Sequence, residues 1–211
     1  FTVERIEKLE AELHHDVIAF ISTVGEYIGG NSRYFHQGMT SSDVLDTALA
    51  LQLKQSSDIL EQGLEALSQV LAAQARKYKT AVMAGRTHGV HAEPITFGLK
   101  LASFYAELQR GRERFSGARR EVEFGKISGA VGTFALLNPR IEQRAMEILG
   151  LQADPISTQI VQRDRHAYYL ATIAVIGGTL ERLALEIRHL SRTEVGEALE
   201  PFGKKQRGSS A

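Results

Sequence analysis

From residue 45 onward, leucines stand at Leu45, Leu49, Leu53, Leu60, Leu64, Leu67 and Leu71, with Ser56 in the one gap, so the steps run 4, 4, 3, 4, 4, 3, 4. This eleven-residue repeat winds at about 3.67 residues per turn, close to a straight α-helix and away from the 3.5 of a left-handed coiled coil. Ser41, Ser42 and Asp43 offer side-chain acceptors for the unpaired N–H groups at its start. Continued to about Lys77, the helix is roughly 50 Å long at ~1.5 Å per residue. An apolar stripe of that length needs long neighbours to cover it. The sequence predicts them over residues 95–124, after Pro94, with Phe97, Leu101, Tyr105 and Leu108 on one face, and over 165–197, with Leu170, Ile173, Gly177, Leu180, Ala184 and Ile187 in a stripe. A further segment, 2–28, carries Val3, Ile6, Leu13, Val17, Phe20 and Ile21, and a short helix over 139–149 stops at Gly150. No period-two strand pattern stands out. The expected class is all-α, a long-helix bundle.

The connections are too long for a simple bundle, whose turns usually take about 2–8 residues. Residues 29–42, 78–94, 125–138 and 201–211 are glycine-rich and hold most of the reactive side chains. Long loops on a rigid scaffold are where chemistry is usually placed.

Composition removes several classes of function. Lys+Arg and Asp+Glu both number 25, so the basic surplus of a nucleic-acid-binding protein is missing. Arg110, Arg112, Arg114, Arg119 and Arg120 alternate with Glu107, Glu113, Glu121 and Glu123, the pattern of a solvated or ion-paired helix face; Phe115 and Phe124 beside them read as packing residues. There is no cysteine, which excludes disulfides, thiolate metal sites and cysteine nucleophiles in this chain and makes a reducing cytoplasm the simpler setting. The most apolar run, Leu170 to Gly178, falls far short of the roughly 20 residues that span a bilayer, so no membrane partner is expected. The chain starts on Phe1 as if in mid-helix, and reads as an internal stretch of a longer protein.

Three histidine-bearing segments carry the chemistry. They are His14-His15-Asp16, His36-Gln37-Gly38-Met39-Thr40-Ser41-Ser42-Asp43, and Gly85-Arg86-Thr87-His88-Gly89-Val90-His91-Ala92-Glu93-Pro94. Any one histidine reads as an ordinary surface group. Clustered with Thr, Ser, Arg and Asp at helix ends, they combine protons mobile near neutral pH with anion-binding groups. A metal site is disfavoured: His88 and His91 are separated by Gly89, and neither a His-Glu-x-x-His helix nor an Asp-rich calcium loop occurs. Gly129-Ala130-Val131-Gly132 lacks the Lys-Ser/Thr of a phosphate loop and the strand of a dinucleotide fingerprint. Gln159 and the run Arg163 to His166 lie on a polar approach to the last long helix, where ordinary capping is an equal explanation.

Taken in order, these segments resemble the three separated regions of the fumarase/aspartase superfamily of β-eliminating lyases. Thr40-Ser41-Ser42-Asp43 is similar to the first region, Gly85-Arg86-Thr87-His88 to the second, and Gly208-Ser209-Ser210-Ala211 to the opening of the third. The extended forms around His14-His15-Asp16, His88 to Pro94 and Gln159 to Asp164 resemble its adenylosuccinate branch. The resemblance implies the superfamily's central helical domain over 42–211, truncated at its C-terminal side, preceded by the end of an N-terminal domain and its active-site loop over 1–41. It also implies a homotetramer with active sites shared between subunits, a small-molecule nucleotide substrate and no cofactor.

The implied reaction is the loss of fumarate from a succinyl-amine, adenylosuccinate giving AMP, or the succinyl-aminoimidazole carboxamide ribonucleotide giving its amide. By resemblance, His88 is the general acid on the departing nitrogen, Ser209 the base and His15 the second active-site histidine. His14 and Asp16 would contact the nucleotide, Thr40 and Ser41 a fumarate-side carboxylate, and Gln159 and Ser210 the substrate. His36 and Arg86 would support the site, and His91 and Glu93 shape the loop. Two other readings stay open: another lyase of the superfamily, of the argininosuccinate or 3-carboxymuconate type, and a non-catalytic helical scaffold.

Overall fold

In the computed structural model, which describes residues 1–199, 201 and 203–208, the opening helical stretch is broken at His14, whose left-handed φ of 51° ends helix α1 (Val3–Leu13). His15 then caps α2 (Asp16–Ile28). The apolar pattern runs through both, so periodicity alone gives one helix where the backbone makes two. After a 3-10 turn over Gly29–Tyr34 comes α3 (Ser41–Lys77), 37 residues long, carrying the eleven-residue repeat. Helix α4 spans Phe97–Val122, α5 Pro139–Leu149 and α6 Asp164–Leu190. The last ends seven residues before the expected Glu197, where the backbone folds back and the N–H groups of Glu197 and Ala198 both donate to the Leu190 carbonyl. Among the described residues, no helix is long and apolar enough to cross a membrane.

The structure departs from the all-helix expectation at residues 78–94. There β1 (Val82–Thr87) and β2 (Val90–Thr96) pair as an antiparallel hairpin. Pro94 lies in β2 opposite Ala84, and α4 is opened by Thr96, whose hydroxyl accepts from the Leu99 N–H at 3.1 Å. A short parallel pair, β3 (Phe124–Gly125) with β4 (Gln152–Ala153), ties the end of α4 to the end of α5.

The chain divides into two compact units, one of residues 1–57 and 119–166, the other of 58–118 and the residues from 167 onward. In the first, Ala50, Met146 and Leu151 form a core with Leu51, Ile127 and Leu149 against them. Gly125 sits so close that an added Cβ would meet the Met146 sulfur at 2.7 Å and the Thr47 methyl at 2.9 Å. In the second, Leu101, Phe104, Leu108 and Phe115 of α4 are buried, as are Leu64 and Leu71 of α3 and Tyr169 and Ile176 of α6. Phe115 and Tyr169 stack obliquely with centroids 5.8 Å apart. Polar contacts set the register of these helices: Gln109 donates to the Ser68 hydroxyl at 2.8 Å, Thr179 to the Glu107 carboxylate at 2.9 Å, and Lys100 to Glu186 at 2.5 Å. On the arginine-rich face of α4, Arg119 pairs with Glu123 of the expected set, whereas Arg112 pairs across to Glu65 of α3. Not all of the leucine stripe is covered, since Leu45 and Leu60 remain 49 % and 42 % exposed.

Candidate active site

In the first unit, the loop before α3 and the loop over 126–129 meet at the start of α3, and Asp43 is their common partner. Its carboxylate accepts from the Thr40 N–H at 2.9 Å, the Gly129 N–H at 3.1 Å and the Ser128 N–H at 3.2 Å, and from the Lys126 ammonium. The bond from Thr40 is the reciprocal half of a capping box, in which an acidic side chain three residues into a helix returns to the residue before it. Of the three residues expected to cap this helix start, Asp43 takes part, and it does so on the N–H of Thr40, the residue before the helix. Lys126 and Asp43 are both fully buried at their side chains. Lys126 also donates to the Gly129 carbonyl at 3.2 Å, while its backbone exchanges hydrogen bonds with the Thr47 hydroxyl at 2.9 and 3.0 Å. One turn further on, Asp46 takes a bidentate pair from Arg163 (2.8 and 3.0 Å) and the Val161 N–H at 2.8 Å. This holds the 157–163 segment so that the Gln159 amide reaches the Thr40 hydroxyl at 3.5 Å, the limit of a hydrogen bond. Ser128 and Ser157 join by their hydroxyls at 2.8 Å.

Thr40 and Gln159, both candidate substrate binders, are therefore brought together, with Ser41 at the first turn of α3. Of the neighbours that fix them, Lys126, Ser128 and Asp46 have no role in the sequence reading, and Arg163 enters it only within the run Arg163 to His166. A lysine three residues before Gly129 was the one available signal, and it is not a phosphate-loop spacing.

His15 and Asp16 sit at the start of α2. The Nδ1 atom of His15 accepts from the Ile18 N–H at 3.4 Å and lies 3.4 Å from the Asp16 carboxylate. Asp16 accepts from the Val17 N–H at 2.7 Å. His36 adopts a left-handed φ of 67°, and its Nε2 is buried without a hydrogen-bond partner.

In the second unit, His88 and Gly89 form the two-residue turn of the β1–β2 hairpin, with φ of 55° and 75°. Positive φ at both positions is the requirement of a type I′ turn. Arg86, two residues away, binds Glu197 through its two terminal guanidinium nitrogens at 2.7 and 2.9 Å. That hydrogen bonding holds the Glu197 carboxyl below, and the Arg86 guanidinium above, their ordinary values. The hairpin borders a cleft of about 510 Å³ lined by Arg86, His91, Lys100, Glu186, His189 and Arg192 among others. His14, His36 and His88 are three of the four non-glycine residues with positive φ among the described residues. Such conformations cost about 1–3 kcal/mol and gather at functional sites. Ser209 and Ser210 lie outside the described residues. Among the described residues, no group of three or more His, Asp or Glu side chains is placed to hold a metal ion.

Glu142 is buried beside this network and accepts from the Ile127 N–H at 2.6 Å. Burial, with Asp43 and Asp154 nearby, raises its carboxyl above the ordinary value despite that bond and Lys126. The folded state thus keeps the Glu142 proton to a higher pH than the unfolded chain does. Its contribution to stability is full below the unfolded value of ~4.3 and falls as pH rises through the raised folded value. The Glu142→Gln variant should gain on the parent across that window in urea melts. A parent-minus-variant difference that is flat with pH refutes this assignment.

In the first unit, the start of α3 and the loops it gathers thus bring the Thr40 hydroxyl and the Gln159 amide together. The chain belongs to the lyase family, which it matches over residues 3–211. It is 52 % identical to the adenylosuccinate lyase of Thermotoga maritima over 99 % of this chain and 48 % of that protein. Among solved structures, it resembles a fumarate lyase from Mesorhizobium sp. BNC1 with a TM-score of 0.86 and 30 % identity, covering 93 % of this chain and 47 % of that one. It also resembles a 3-carboxy-cis,cis-muconate lactonizing enzyme from Pseudomonas putida, with a TM-score of 0.84, 30 % identity and coverage of 93 % and 46 %. The chain spans about half the length of the curated relatives it matches.

Proposed function

We propose that the full-length protein containing this chain is an adenylosuccinate lyase of purine nucleotide biosynthesis, acting in the cytoplasm as a homotetramer. It releases fumarate from adenylosuccinate, leaving AMP, and from the succinyl-aminoimidazole carboxamide ribonucleotide. The observation that carries the reading is the 52 % identity to adenylosuccinate lyase across nearly the whole chain.

In the proposed reaction a base, Ser209, takes a proton from the succinyl carbon beside a carboxylate. The C–N bond then breaks to give fumarate, and the departing nitrogen receives a proton from His88. Negative charge builds on the carboxylate as the carbon loses its proton, so donors already aimed at it lower the barrier. Thr40 and Ser41 at the start of α3 take that role, with Gln159 on the substrate beside them; the Gln159–Thr40 contact supports the pairing. His15 orients substrate or acid, His14 and Asp16 contact the nucleotide, Ser210 binds beside Ser209, and His36 and Arg86 support the site. The exposed leucines of α3 support burial against further subunits. Under this reading, residues 1–41 are the end of an N-terminal domain and 42–211 part of the central one.

The structural likeness to a muconate lactonizing enzyme favours, as a second reading, a lyase of the 3-carboxymuconate type. The two are separated by assay of the full-length protein. An adenylosuccinate lyase liberates equal amounts of fumarate and AMP and is inhibited competitively by AMP. Turnover of a carboxymuconate with no effect of AMP would replace the first reading with the second.

A further inference from the structure

We infer that Asp43 and Lys126 are positioning residues, a buried clamp that holds the carboxylate-binding start of α3 and the loop carrying Gln159 in one arrangement. The inference rests on the proposed role of Thr40 and Ser41 toward the fumarate-side carboxylate.

The first support is the number of segments that one carboxylate joins. Asp43 takes its four donors from the residue before α3, from the lysine after β3 and from the two backbone N–H groups of the 128–129 turn. A carboxylate has about four lone-pair sites, so Asp43 is saturated and has none left for a ligand. Its role must be exerted through the groups it holds. Ser128, fixed in this way, passes the constraint to Ser157 through their shared hydroxyl bond, and Ser157 is two residues from Gln159. Thr40, fixed by its N–H, keeps its hydroxyl for Gln159 at a loose 3.5 Å and for a ligand. Thr40 therefore takes its place from Asp43 directly, and Gln159 takes its place from Asp43 through Ser128 and Ser157, alongside the hold of Asp46 on Val161 and Arg163.

The second support is energetic. An ion pair with no solvent exposure on either side chain is a poor way to stabilise a core, because well-packed apolar residues often do as well or better. What the pair supplies here that apolar residues cannot is hydrogen-bonded direction. The charge of Lys126 offsets that of Asp43, and the Thr47 hydroxyl pins the Lys126 backbone on both its N–H and its carbonyl.

The test uses product inhibition of the full-length protein, with fumarate and AMP as separate probes. Asp43→Asn keeps one carbonyl acceptor but loses the anion. Thr47→Val leaves the ion pair intact and frees only the Lys126 backbone. Each should raise the fumarate inhibition constant by about fivefold or more while the AMP constant moves by less than about twofold, a loss confined to one part of the substrate. The exchange of Asp43→Lys with Lys126→Asp should not restore fumarate binding, since it returns the charge pair without the acceptors for three N–H groups. A purely structural role would lower the amount of active enzyme without changing either constant, or would weaken both equally; either result overturns the inference. Restoration by the exchange also overturns it. If Asp43→Asn does not fold, Thr47→Val decides by itself, and an unchanged fumarate constant rejects the clamp. Thr40→Ala is the control: if it leaves fumarate binding untouched, the carboxylate assignment of the α3 start fails, and the clamp with it. If Thr40→Ala weakens fumarate and the clamp variants do not, only the clamp fails.

Discussion

His88→Asn in the full-length protein is expected to lower kcat by about a hundred- to ten-thousand-fold, the usual worth of a positioned general acid, with little change in fold. Asparagine is the informative replacement. His88 and Gly89 form a two-residue hairpin turn with positive φ at both positions, and Asn is among the residues that tolerate this conformation best. The variant keeps the turn, the pairing of Thr87 with Val90 and the Arg86–Glu197 bond, and removes only the transferable proton. His88→Val would confound the two effects, because a β-branched residue is strained at φ of 55°. Substrate should still bind to His88→Asn, and fumarate release should be slow in a single turnover. Turnover at the parent rate would take His88 out of the proposed chemistry, whatever its place in the turn.

Asp43→Ala should be the most destabilising single change in the first unit, by about 3–5 kcal/mol, since it leaves a buried ammonium with no counter-charge. Lys126 would retain only the Gly129 carbonyl, and the N–H groups of Thr40, Ser128 and Gly129 would lose their acceptor. Removing both charges in Asp43→Ala/Lys126→Met should recover much of the loss, because the larger part of it comes from the stranded cation. Denaturant melts at one temperature measure both variants. If the single variant is as stable as the parent, the pair is not buried as described.

The helical scaffold was largely legible. The Leu45–Leu71 repeat marked α3, Pro139 and Gly150 bracketed α5 at its observed bounds, and within the Arg/Glu alternation Arg119 pairs with Glu123. What escaped was local backbone geometry that leaves no period. His14 breaks the opening helix by one left-handed residue, and apolar spacing continues across it. The β1–β2 hairpin did contain its signal, since His88-Gly89 lies between Val- and Thr-bearing stretches. A histidine at the first turn position and a proline inside β2 made it read as loop.

The site was legible in part. Thr40 and Gln159, chosen 119 residues apart, meet in the structure. Lys126 escaped because nothing local marks a buried lysine, and its meaning depends on an aspartate 83 residues earlier. Ser209 and Ser210 stand on resemblance alone.

The bonds that assemble the α3 start are nearly all distant along the chain, with separations of 83, 85, 117 and 119 residues. The helices they organise close over three or four. Pairing of that kind requires large loop closures, which slow folding, whereas helical turns nucleate quickly. A refolding chain should therefore recover its far-ultraviolet signal well before it recovers any affinity for ligand. Function would be the last property to return.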